Sequence, residues 1–324
     1  MDNLLSALRA AGEETRLRIL GLLAEGELTV SEITQILSQS QPRVSRHLKL
    51  LCEAGLLLRF QEGTWAFYRL AEEGEAGTLS QTIVARIPDD NIQHKRDLER
   101  LADIRAGRAA VAAQYFSQNA ENWSQIRNLH VPEQKVEEIL LEAAKGKDIH
   151  TLLDVGTGTG RILEVFAGKI DKGLGIDLSQ DMLSVARDNF AQNDLANCQA
   201  RLGDMYNIPA DGATQDVVII HQVLHYADQP EEVLREAARV LKSDGILLIV
   251  DFAPHELEEL REQHAHRRLG FSDSEMLAWG NACQLEHIKT TRLAGEKLTV
   301  KIWQFNKPLA HIRLSSAKGK LHGK

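Results

Sequence analysis

The sequence predicts a multidomain chain in which a small α+β unit and a helical linker precede a larger α/β unit with a mostly parallel sheet. Three observations carry that expectation. Between Thr151 and Gly160, the apolar run Leu152, Leu153 and Val155 is followed by Gly156, Gly158 and Gly160 at alternate positions, then by the helical pattern Arg161–Phe166. A strand, a glycine turn and a helix in that order form the first βα unit of a Rossmann-like sheet. Glycine is required there because the turn is tight and a ligand must approach bare backbone. Further strand-like runs, 173–176, 216–220 and 245–251, follow with helical stretches between them. Residues 3–70, by contrast, read as short helices followed by a hairpin.

Composition narrows the class. The 324 residues leave room for two domains, and 43% hydrophobic content supports ordinary packed cores. A net charge of −8 argues against a chain coated uniformly for nucleic acid but leaves a local basic patch open. Cys52, Cys198 and Cys283 are scattered, without C-x-x-C spacing, which fits a reducing compartment and no disulfide frame. No run approaches a membrane span, and the first residues lack a signal-peptide pattern, so a cytoplasmic protein is expected.

In chain order, Leu17, Ile19, Leu20, Leu22 and Leu23 make an apolar helix that ends at Gly26, and 31–37 make a second. Ser40 is an N-cap candidate for a third, in which Pro42 sits in the first turn, where its missing N–H costs nothing. Val44, Leu48 and Leu51 share one face of that helix and belong to the core. Gln41, Arg43, Ser45, Arg46 and Lys49 point elsewhere and present groove-reading groups near the helix start. Two strand-like runs, 56–61 and 64–70, then form a two-stranded wing that carries Arg59.

Residues 9–70 resemble the ArsR/SmtB family of winged-helix repressors, through Glu14-Thr15-Arg16-Leu17-Arg18-Ile19-Leu20 and Ser40-Gln41-Pro42-Arg43-Val44-Ser45-Arg46-His47-Leu48. The resemblance implies operator DNA as a partner, with contacts from Gln41, Arg43, Ser45, Arg46, Lys49 and Arg59. It also implies pairing of two subunits through the helix after the wing, near 89–112. A rigid spacer helix is the equally weighted alternative. The C-x-C pair of metal-sensing members is missing from 26–32, and no His/Asp ligand set is evident around His94 and Asp97. Metal sensing at those sites is therefore not expected.

The glycine run, with Asp154 two residues before Gly156, resembles motif I of the class I S-adenosylmethionine (SAM) dependent methyltransferases. Asp177, about 20 residues later at the tip of the second strand, is placed to accept hydrogen bonds from a ribose diol. Arg201-Leu202-Gly203-Asp204-Met205 resembles the family's third-strand tip, and His221-Gln222-Val223-Leu224-His225-Tyr226 its loop after strand four. The resemblance implies SAM or S-adenosylhomocysteine (SAH) as ligand. Its contacts would come from Asp154, Gly156, Thr157, Gly158, Gly160, Asp177, Leu178, Met182, Gly203, Asp204, Met205 and His221. His225 and His221 are the candidate catalytic bases, a surface histidine being the alternative. The N-P-P-Y signature of amino-directed enzymes is absent at this loop, which disfavours nucleic acid as the methylated substrate.

The expected division is 1–85 for the winged helix, 86–130 for a helical linker and SAM-lid region, 131–306 for the methyltransferase domain and 307–324 for a basic tail. Residues 71–88 read as linker. Tyr115 or Trp123 could close over the ligand, with core packing as the preferred alternative. Residues 255–281 read as a charged helical insertion whose His264, His266, Arg267 and Arg268 lie on a solvated face and bind no metal. Two functions follow. One is a DNA-binding regulator that responds to SAM or SAH and governs methyl or sulfur amino-acid metabolism. The other is a working small-molecule methyltransferase that regulates its own operon.

Overall fold

The computed structural model describes residues 1–71, 74–88, 90–120 and 132–309. Helices α1 (Asp2–Ala11), α2 (Glu14–Ala24), α3 (Val30–Leu37) and α4 (Gln41–Glu53) lead into the hairpin β2 (Leu57–Glu62) and β3 (Trp65–Leu70). The short strand β1 (Leu28–Thr29) pairs with the other edge of β3. Ile19, Leu20, Ile33, Ile36, Val44, Leu48 and Leu51 meet in a sealed core, as their spacing predicts. Leu17 does not join them and is partly exposed at 36%. Helix α3 starts with a capping box between Thr29 and Glu32. Ser40 stands at the N-cap of α4, but its side chain makes no capping bond. Its carbonyl instead accepts the N–H groups of Arg43 and Val44.

The stretch read as linker contains helix α5 (Gly74–Val84), whose Ser80 hydroxyl donates to the carbonyls of Ala71 and Gly77. Two glycines give this segment poor intrinsic helix propensity, and packing against α2 overrides it. The long helix α6 (Ile92–Asn119) follows, close to its predicted extent, with Asn91 capping it through the His94 N–H. Its first half is fastened to the winged helix. Arg18 forks onto the fully buried Asp97 at 2.7 and 2.8 Å, and Arg100 donates to the Ile36 carbonyl at 2.7 Å.

The C-terminal unit opens with α7 (Glu133–Ala143). Strands β4 (Ile149–Val155), β5 (Ile170–Asp177), β6 (Cys198–Leu202), β7 (Gln215–His221), β8 (Leu241–Phe252), β9 (Glu286–Ala294) and β10 (Thr299–Asn306) form one seven-stranded sheet. Its order is β6-β5-β4-β7-β8-β10-β9, parallel throughout except for β10, which runs antiparallel to both of its neighbours. Helices α8 (Arg161–Phe166), α9 (Gln180–Gln192) and α10 (Pro230–Val240) supply the crossovers. Continuous apolar strands such as Val217–Ile220 bury both faces against two separate cores, as a doubly covered parallel sheet demands. Strand order reverses between β4 and β7, and the ends of those strands open the crevice where α/β folds bind ligands.

The expected charged insertion contains α11 (Glu259–His264) and α12 (Asp273–Ala282). Its solvated-face reading is corrected by the structure. His266, Arg267 and Arg268 are 8%, 7% and 3% exposed, His266 packed among His225, Tyr226 and Phe252 and the two arginines against the winged helix. Arg268 reaches Glu27 and Glu62 of the N-terminal unit at 3.0 and 3.1 Å, and Arg267 donates to the Glu27 carbonyl at 2.9 Å. Trp123, a lid candidate, and the tail residues Arg313, Lys318, Lys320 and Lys324 lie outside the described residues.

Candidate ligand cavity and nucleic-acid interface

The loop after β4 turns as its glycines predict. Gly156 and Gly160 have φ of +70° and +84°, and a Cβ on either would collide with Val223 or with the Phe190 ring. The N–H groups of Gly156 and Thr157 both donate to the Ile176 carbonyl, which ties the loop to the end of β5. Asp177 completes that tie. One carboxylate oxygen accepts the Gly158 N–H at 2.9 Å and the other the Ser179 N–H at 2.8 Å. Loss of water around Asp177 pushes its carboxyl above the ordinary range, and these backbone donors pull it partly back.

In front of the loop lies a cavity of about 860 Å³, within the span of small-molecule and cofactor sites. Asp154, Gly156, Thr157, Gly158, Asp177, Leu178, Met182, Gly203, Met205 and His221 all line it. Gly160 and Asp204 do not. Gly160 caps α8 behind the loop. Asp204 is exposed beside the cavity, where its carboxylate accepts the Tyr206 N–H at 2.9 Å.

His225 also departs from expectation. It is 2% exposed, one layer behind the wall, because Asp251 at the end of β8 draws it inward. Its Nδ1 lies 2.9 Å from one oxygen of Asp251, and its backbone N–H donates to the other. The Phe252 N–H adds a further bond to that buried carboxylate. The His225 ring stacks on His266 at 3.9 Å, and it is His266 that faces the cavity. His225 is therefore not among the lining residues, whereas His221 is. Tyr115 is absent from the lining and bonds His264 at 2.7 Å, while its neighbour Phe116 takes the wall position.

Sequence reasoning missed half of the enclosure. Gln222, at the tip of β7, holds φ of +52° and donates its N–H to the Val250 carbonyl; such strain in a non-glycine residue marks a constrained site. More consequentially, Arg100, Asp103, Arg105, Gly107, Arg108 and Phe116 of α6 form a wall, joined by Gln35 of α3 and Trp65 of β3. Arg108 bridges the units by pairing with Glu32 on one side and with Asp228 at 2.8 Å on the other. Among the described residues, no cluster of metal-ligating side chains is present.

In the N-terminal unit, Gln41, Arg43, Ser45, Arg46 and Lys49 are exposed on α4, turned away from the buried Val44, Leu48 and Leu51. Arg59 is exposed on β2 and donates to Gln61 at 3.2 Å. Helix and hairpin thus present the predicted polar and cationic groups to solvent. No described helix is long and apolar enough to cross a membrane.

Comparison with known proteins agrees with both halves. Residues 13–57 match the model of the bacterial regulatory protein arsR family, and residues 147–300 match a methyltransferase domain model. The chain is 55% identical over 60 residues to the arsenical resistance operon repressor of Escherichia coli, covering 18% of this chain and 51% of that one. It is 44% identical over 66 residues to an uncharacterized HTH-type transcriptional regulator of Methanocaldococcus jannaschii, covering 20% of this chain and 74% of the other. A putative methyltransferase solved with the Haloferax volcanii Trm112 activator superposes with a TM-score of 0.50 at 20% identity, over 60% of this chain and 97% of that one, which shows a shared fold. The chain spans about half the length of the first curated methyltransferase and repressor relatives it matches. Through its winged helix-turn-helix the chain belongs to the arsR family of bacterial regulatory proteins, and it carries a class I methyltransferase domain behind it.

Proposed function

We propose that this protein is a DNA-binding transcriptional regulator whose methyltransferase domain binds SAM or SAH as its signal, in the control of methyl or sulfur amino-acid metabolism. One observation carries the reading: the cavity is walled on one side by the glycine loop and on the other by α6, α3 and the wing. A ligand in such a cavity touches the DNA-binding unit directly, so its binding energy can depend on how that unit is held.

The residues suit the ligand. The bare backbone of Gly156 and Gly158 is a cradle for the methionine half, since a side chain on Gly156 would meet Val223. Asp177 accepts the ribose hydroxyls, whose donors offset the cost of holding its carboxylate away from water. Leu178, Met182, Gly203 and Met205 line the rest of the cavity and would hold the adenosine half. When bound, SAM supplies a methyl group on a sulfonium. The regulator acts as a homodimer in this reading. Leu4, Leu5 and Leu8 on α1 and Ile92 and Val111 on α6 are exposed apolar side chains available to a second subunit.

A working small-molecule methyltransferase with an autoregulatory DNA-binding unit is the second reading, favoured by His221, His266, Tyr226 and Phe116 gathering on the cavity wall. His221 is then the base candidate, and the His225–Asp251 pair positions His266. Fluorescence anisotropy with a labelled fragment of the gene's own upstream region separates the readings. The regulator reading expects saturating SAM or SAH to shift DNA affinity several-fold without consumption of SAM. Indifference of DNA affinity to both ligands would sink it.

A further inference from the structure

The wing hairpin is seated on the methyltransferase domain. Glu62, at the end of β2, is gripped through both carboxylate oxygens, by Arg261 at 2.6 Å and by Arg268 at 3.1 Å. At the turn, the Thr64 N–H donates to Glu258 at 2.6 Å, and the Arg261 guanidinium lies 4.7 Å above the Trp65 ring. Both arginine side chains are only 3% exposed. A hairpin held this way cannot lay its tip along a DNA backbone without leaving its seat. The seat also carries Glu256, Glu258, Glu259 and Glu262, whose carboxylates oppose phosphates. Helix α4 meanwhile stays exposed, so only part of the DNA-binding surface is presented.

We propose that the segment 256–268 is an autoinhibitory latch that holds the wing on the methyltransferase domain and must open for full engagement of DNA. The proposal rests on the reading of α4 and the wing as the DNA-binding surface. Arg261, Ala265, His266 and Arg267 of the latch and Trp65 of the wing also line the cavity, so the formed cavity and the closed latch belong to one conformation. A ligand that fills the cavity favours the closed latch and opposes DNA.

The test uses the full chain without SAM or SAH. Glu258→Ala removes the acceptor of the Thr64 N–H and a partner of Arg261, whereas Glu256→Ala removes an equal charge from an exposed position of the same segment that does not grip the wing. Glu258→Ala is expected to bind the upstream fragment several-fold more tightly than wild type, and Glu256→Ala to change affinity by less than twofold. In wild type, adding that DNA should speed amide hydrogen exchange across 256–268. Equal affinity of Glu258→Ala and wild type, equal gains in the two variants, or exchange in 256–268 that DNA leaves unchanged would each overturn the latch. Should Glu258→Ala fail to fold, the exchange measurement on wild type decides alone. DNA affinity that ignores SAH while Glu258→Ala still binds more tightly would defeat the sensor reading and leave the wing latch standing without its coupling to that ligand, so the two failures are distinguishable.

Discussion

Asp177 is costly to the fold, and in the proposed function it is the side chain that holds the ribose. Its folded pKa is raised by desolvation, so the stability it contributes is present below the ordinary carboxylate range, near pH 3.9, and is lost as pH rises through the raised value. At neutral pH the ionised group is a net cost, which ribose hydroxyls would offset in the proposed ligand complex. SAH affinity is therefore expected to weaken on acidification from a higher pH than an ordinary aspartate would give, as calorimetry over a pH series would show. Asp177→Asn loses one backbone bond and one buried charge, effects of opposite sign. Its melting temperature should move by only a few degrees while SAH affinity falls at least tenfold. A large fall in melting temperature with unchanged affinity would contradict the assignment. On α4, Arg46→Ala should weaken DNA binding and reduce the slope of log affinity against log salt by about one; an unchanged slope would place Arg46 off the phosphates.

At the scale of elements, α6 is the piece that joins the two functions. Its Gly107 lines the cavity, and an added Cβ there would meet nothing within 4 Å. Gly107→Leu is expected to raise helix stability by up to about 1 kcal/mol while filling ligand space and lowering SAH affinity several-fold. A melting curve paired with an SAH titration checks both halves, and unchanged affinity would show that α6 does not bound the ligand. This wall also marks the limit of what the sequence discloses. The glycine loop, Asp177 and the apolar strands were legible because their signals are local: spacing, turn chemistry and alternation over a few residues. The roles of Gly107, Arg108 and Trp65 were not, because a cavity formed between distant segments leaves no local pattern. Helix α5 reads as linker from sequence for a related reason, since its glycines speak against a helix that packing stabilises. Arg267 and Arg268 looked solvated since charge predicts solvent unless a partner intervenes, and theirs, Glu27, Glu32 and Glu62, lie far upstream in the chain.

For the whole molecule, the buried arginines make the docking of the two units specific. Arg268 pairs with Glu27, Glu62 and Glu275 while 3% exposed. Removing one partner of such a network strands the others, so Arg268→Met is expected to cost about 3–5 kcal/mol in a denaturant melt. A cost below about 1 kcal/mol would mean that the units are loosely associated. In the sensor reading proposed above, a firmly docked pair with a shared cavity links ligand and DNA thermodynamically, and linkage is reciprocal. Whatever factor SAH applies to DNA affinity, DNA must apply to SAH affinity. The direct measurement is calorimetric titration of the full chain with SAH, alone and saturated with the upstream DNA fragment, alongside the anisotropy titration. The shared cavity predicts a several-fold weaker SAH affinity on DNA, by the same factor that SAH weakens DNA binding. Identical SAH affinities with and without DNA would contradict it.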